Sequence, residues 1–141
     1  MYAQSDDVNK GEVVNLQYKP VTTTFMLTLK VPGPSKDDFM IQNISLTAPN
    51  ATIAGDFSIN ITDGSFGDWG TNKANTVTAQ IFDKATGAYF TLVKGNEITI
   101  PLFIAPAPNL NIDGWYVTVA TNLGTYKKTL KKTDTKNGED E

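Results

Sequence analysis

The chain has 141 residues and a mass of 15.3 kDa, with 12 basic and 15 acidic side chains, a net charge of −3 and a pI near 4.9. All of the basic residues are Lys; His, Cys and Arg are absent, which removes Ser-His-Asp and Cys-His nucleophiles, thiol redox chemistry, conventional zinc sites and bidentate phosphate clamps. The length suits one domain with a proper hydrophobic core, and the acidic balance argues against a nucleic-acid footprint.

Residues 1–12 are largely polar and carry neither the basic region nor the apolar core of a signal peptide. The expectation is a mature chain behind an initiator Met, with 1–12 a mobile tail. Period-two alternation then begins. Val14, Leu16 and Tyr18 alternate with Val13, Asn15 and Gln17, and Phe25, Leu27, Leu29 and Val31 alternate with Thr24, Met26, Thr28 and Lys30. This is the mark of half-buried strands. Ser35 to Ile41 allows no more than a short turn of helix, capped by Ser35. The alternation resumes at Ile44, Leu46 and Ala48, and again at Ile53, Gly55, Phe57, Ile59 and Ile61. Val77, Ala79 and Ile81 follow, then Ile98, Ile100 and Leu102, where Pro101 demands an edge strand or a bulge. Trp115, Val117, Val119 and Thr121 form a late strand, and Tyr126 to Leu130 reads as its hairpin partner.

Turn chemistry separates these segments: Pro32 to Ser35, Pro49-Asn50, Asp63-Gly64, Thr86-Gly87, Gly95-Asn96, Asp113-Gly114 and Asn122 to Gly124. The reading is an all-β, two-sheet antiparallel sandwich over residues 13–132, with about seven or eight strands and Greek-key connections. Residues 133–141 hold no apolar side chain and read as a mobile acidic tail. The expected core is Phe25, Leu27, Leu29, Ile44, Leu46, Phe57, Ile59, Val77, Ile81, Ile100, Val117 and Val119.

The stretch Asp63 to Lys73 (DGSFGDWGTNK) reads as a loop with two large aromatics. Phe66 and Trp69 are candidate contacts for a sugar or a protein partner. The plainer alternative folds Trp69 back to cap one end of the sandwich. Asp63 and Asp68 suggest a calcium loop, but Gly67 stands where an oxygen ligand is needed and Asp68 where Gly is needed. No metal and no cofactor is therefore expected. The three sequons at Asn43, Asn50 and Asn60 follow from the abundance of Asn and Thr. Paired carboxylates at the roughly 5–9.5 Å of glycoside hydrolysis would arise by chance among 15 acids, so no enzyme is expected. Lys127, Lys128, Lys131 and Lys132 make a local basic patch, of the kind that discourages edge-to-edge aggregation.

In order, YKPVTTTFMLTLKV, FMIQNISLTAPNATIAGDFSINI, ITIPLFIAP and GWYVTVATNLGTYKKTL resemble the fimbrillin-like (type V) pilins of Bacteroidetes. The carriers are an I-x-x-I-x-L strand at Ile41 to Leu46, an I-x-G-x-F-x-I strand at Ile53 to Ile59, and a closing hairpin from Val117 to Lys127. The resemblance covers residues 13–132. It implies a transthyretin-like sandwich, export to the cell surface, attachment of the fimbrium to the outer membrane, and adhesion with other pilin subunits or surface ligands as partners. It also implies assembly by strand exchange, which makes Val14, Leu16 and Tyr18 the candidate exchangeable edge strand and the intact chain a monomer. The family's usual second domain, its lipidated Cys and its trimming Arg are not in this sequence; Lys10 or Lys19 is the available site for another protease. The rival reading is a carbohydrate-binding module built on the same sandwich, using Phe66 and Trp69.

Overall fold

A computed structural model of the chain describes residues 2–4, 10–11, 13, 17–31, 38–81, 85–107 and 110–132. Eleven strands and no α-helix occupy them: β1 Tyr2–Gln4, β2 Gln17–Lys19, β3 Thr23–Lys30, β4 Phe39–Thr47, β5 Ala54–Ile59, β6 Phe66–Ala74, β7 Thr76–Gln80, β8 Phe90–Leu92, β9 Glu97–Ile104, β10 Tyr116–Thr121 and β11 Gly124–Thr129. The all-β sandwich expectation holds.

The larger sheet runs β11-β10-β4-β7, and every pairing in it is antiparallel. β8 continues along the edge of β4 that β7 occupies, since Asn43 to Thr47 pair with β7 and Phe39 to Ile41 with β8. β4 is thus the centre of the molecule. Flanked on both edges, its inward side chains Ile44 and Leu46 are 0% exposed. Val117 stands opposite Leu46 on β10 and is buried with it.

The facing layer is the pair β3–β9, in unbroken register from Thr23↔Ile104 to Lys30↔Glu97. Ile100, Leu102 and Ile104 of β9 join Ile41, Ile44, Leu46, Ile112 and Trp115 in one core. Each such side chain contributes ~1.5–3 kcal/mol by leaving water. Pro101 sits in β9 without any register shift, and β9 has β3 as its sole strand neighbour among the described residues. That is the edge position a missing N–H requires.

Several expectations need correction. Phe39–Ile41 open β4 rather than close a helical turn, because Ile41 must point into the core; residues 35–37 lie outside the described set. Within the stretch read as an N-terminal tail, Tyr2–Gln4 pairs with Gln17–Lys19 through main-chain hydrogen bonds. Residues 133–141, read as the other tail, lie outside the described set. Of the expected core, Ile44, Leu46, Ile100 and Val117 are buried, while Phe25, Leu27, Leu29, Val77, Ile81 and Val119 are half-buried against it. Phe57 and Ile59 are also half-buried, but they belong to a separate ribbon and not to this core.

Candidate interaction surfaces

β5 and β6 form a two-stranded sheet of their own. Ile53 and Ala74 hold its base, with Ile53 N–H donating to the Ala74 carbonyl (2.9 Å) and Ala105 N–H to the Ile53 carbonyl (2.7 Å). Its tip is a tight turn. Asn60 N–H donates to the Ser65 carbonyl (2.9 Å), and Gly64, at φ 74°, donates to the Asn60 carbonyl (2.7 Å). Such a φ suits Gly and strains most other residues. The Asn60 carboxamide accepts from Thr62 N–H and the Asp63 carboxylate from Ser65 N–H, both at 2.9 Å. The main-chain and side-chain hydrogen bonds from Ser65 hold the Asp63 carboxyl below the usual carboxylate range. Asp63 thus works as a turn acceptor.

The region read as a loop therefore contains a strand. Phe57 pairs with Trp69 and Ile59 with Phe66, which gathers these four side chains on one face. The Phe57 and Phe66 rings stack at 5.6 Å, and Trp69 meets both edge-on, at 6.0 Å from Phe57 and 5.2 Å from Phe66. The two candidate residues are brought together, with Phe57 as a third ring. Trp69 packs on the ribbon and does not belong to the sandwich core, so the capping alternative fails. Aromatic residues symmetric about an Asp-Gly turn are a hairpin signal that identifies Phe57 from sequence.

The opposite face is polar. Ser58 Oγ accepts from Asp68 N–H (2.9 Å), and Asn72 Nδ2 donates to Asp56 Oδ2 (2.6 Å). A Cβ on Gly67 would meet Ser58 Oγ, and one on Gly70 would lie 2.8 Å from Asp56 Cβ. Those glycines let the strands close.

The second surface is the free edge of β3. Phe25, Leu27 and Leu29 point toward the core yet remain half-buried, while Leu102, Ile100 and Ile98 stand opposite them on β9. Ile100 and Leu102 are only 6% and 3% exposed. Among the described residues β3 and β9 are each other's sole strand neighbour, so the outer edge of β3, like that of β9, has no strand paired with it. Of the proposed exchangeable strand, Val14 and Leu16 lie outside the described residues. Tyr18 is 64% exposed on β2, which pairs with β1 and, among the described residues, with no sandwich strand.

No family model, curated protein or solved structure matches this chain. Its surfaces must speak for themselves. A mainly apolar cleft of about 290 Å³ is also lined by Ile53, Ile104, Ala105, Leu110 and Trp115, together with the polar side chains of Thr52 and Asn111. Among the described residues, no titratable side chain lines it. Among the described residues no three Asp or Glu side chains converge as a metal site would require.

Proposed function

We propose that this chain is a structural and adhesive subunit of a bacterial surface fibre, assembled by adding a strand from one chain to β3 of the next. The half-burial of Phe25, Leu27 and Leu29 is the observation that supports the reading. A strand laid along that edge would draw affinity from main-chain hydrogen bonds and register from alternating apolar side chains. Val14, Leu16 and Tyr18 have the matching two-residue spacing. β1 holds β2 in the intact chain, and the exposed turn at Lys10 and Gly11 lies between them. Cleavage after Lys10 would release the donor. The resemblance to fimbrillin-like pilins points to the same use and to a place outside the outer membrane.

The test compares residues 1–141 with residues 11–141 at equal concentration. The longer chain is expected to stay monomeric, while the shorter one self-associates and protects the amides of β3 from hydrogen exchange. If both stay monomeric and β3 exchanges alike, strand addition is refuted. The three-ring cluster at Phe57, Phe66 and Trp69 favours the second reading, a carbohydrate-binding module. Sugar retention in affinity electrophoresis that Trp69→Ala abolishes would select it.

A further inference from the structure

The inner face of the larger sheet is covered unevenly. In one row across it, Ile44 on β4 stands beside Val119 on β10, and Val119 beside Tyr126 on β11. Ile44 is 0% exposed, Val119 is half-buried and Tyr126 is 50% exposed. The facing layer thus ends short of β11. Its placement explains why. Ile53 is bonded through its main chain both to Ala74, just ahead of β7, and to Ala105, directly after β9, and β9 lies against β7. β9 is therefore the strand on the β7 side, and the outer edge of β3 faces the β10–β11 side of the larger sheet.

Tyr126 has one aromatic neighbour there. Its ring meets Phe39 of β4 edge-on, at 5.5 Å and 72°, and Phe39 is half-buried against the core. Both lie at the end of the sandwich where β3 finishes. Val31 N–H, directly after β3, donates to the Asn96 carbonyl (3.2 Å), and Lys94 N–H donates to the carboxylate of Asp38, directly before β4 (3.1 Å). The Leu29 end of β3 is thereby tied to the Phe39 end of β4. A half-exposed aromatic pair and an unpaired strand edge face the same space, and one added strand would cover both.

We propose that Phe39 and Tyr126 form the floor of a groove whose wall is β3, and that the segment carrying Val14, Leu16 and Tyr18 from a second copy lays a large apolar side chain on that floor. The floor presupposes the reading of β3 as an acceptor edge, and it adds the contact that selects the occupant. Main-chain hydrogen bonds to β3 accept any extended chain. The ring pair favours a chain whose alternate residues are large and apolar, in the register that brings one of them to the Leu29 end. A polar side chain at that position would lose its water without gaining a partner.

The test adds a capped peptide of residues 13–19 to the full chain and follows two places at once. Hydrogen exchange of the β3 amides reports strand addition, and nitration of Tyr126 by tetranitromethane, mapped by mass, reports the floor. With peptide present, the β3 amides should be protected and Tyr126 should react more slowly. Tyr89, 45% exposed directly before β8, should react as before. Y126A should weaken peptide binding about ten-fold, whereas Y126F should leave it unchanged, because the ring and not the hydroxyl makes the contact. If Y126A fails to fold, the nitration pattern of the unaltered chain decides. Protection of β3 with Tyr126 still fully reactive would overturn the floor and leave strand addition standing. Unprotected β3 amides at millimolar peptide would overturn both.

Discussion

Ile44 and Leu46 on β4 follow the same alternating pattern as Phe57 and Ile59 on β5, yet the two pairs end in different surroundings. The first pair is shut between two sheets; the second shares one face of a ribbon with Phe66 and Trp69. Alternation specifies which side chains share a face, but not what lies across from that face. In the body, aliphatic side chains interdigitate with a facing layer. In the ribbon no sheet among the described residues supplies that layer, so the strands bury apolar surface on each other, and ring-on-ring contacts replace the core. A two-stranded sheet is marginal alone. The aromatic cluster, the capped turn and the anchors at Ile53 and Ala74 are what make it persist.

The sharpest contrast should come from truncating one residue in each region. Leu46→Ala leaves a cavity between two sheets and should cost ~2–5 kcal/mol, read as a lower urea midpoint for the whole chain. Phe57→Ala should cost less, because its ring contacts are worth about 0.5–1.5 kcal/mol beyond area. It should loosen amides of β5 and β6 while the global midpoint barely moves. Equal shifts in the two midpoints would show that ribbon and sandwich are one cooperative unit, and the distinction would collapse.

Gly55→Ala probes how the ribbon is built. Gly55 has φ 127°, and an added Cβ would collide with the Asn72 carbonyl oxygen. Holding a side chain there costs of order 1–3 kcal/mol, and the expected result is exchange of the β5 amides with β4 and β10 still protected. The same close contacts explain why β6 is hard to read in the sequence. Gly67 and Gly70 resemble loop residues, but they are small because Ser58 and Asp56 press against them. β3, β4, β7, β9 and β10 are legible because one face of each meets the core, and the alternation records it; β11, whose residues are all exposed, is legible from the Asn122 to Gly124 turn that makes it the hairpin partner of β10. β8 was not, since Phe90–Leu92 is three residues long and interrupted from β7 by residues 81–89. On the candidate surface, Phe66 and Trp69 stand out by composition, whereas the open edge of β3 is a property of what fails to pair with it. No residue type announces that.

The smallest effect belongs to the ribbon tip. Ser65 hydrogen bonds hold the Asp63 carboxyl below its ordinary range in the folded chain. The folded state therefore binds fewer protons there than the unfolded state as the pH falls through the acid range. By linkage, Asp63 contributes stability that is fully present above the ordinary carboxylate range and is lost as the pH drops through its depressed value. Asp63 is fully exposed, so solvent screens the contribution, and the global midpoint should not register it. Carboxyl NMR should register it, as a titration of Asp63 displaced to lower pH than those of unperturbed acids. Asp63→Asn keeps an oxygen to accept from Ser65 N–H but removes the charge. The turn should then survive at neutral pH, and the acid-dependent rise in exchange of the Ser65 amide should disappear. A Ser65 amide that still opens with acid in Asp63→Asn would place the sensitivity in another carboxylate. Asp56, which accepts from Asn72 on the polar face of the same ribbon, would be the next to substitute.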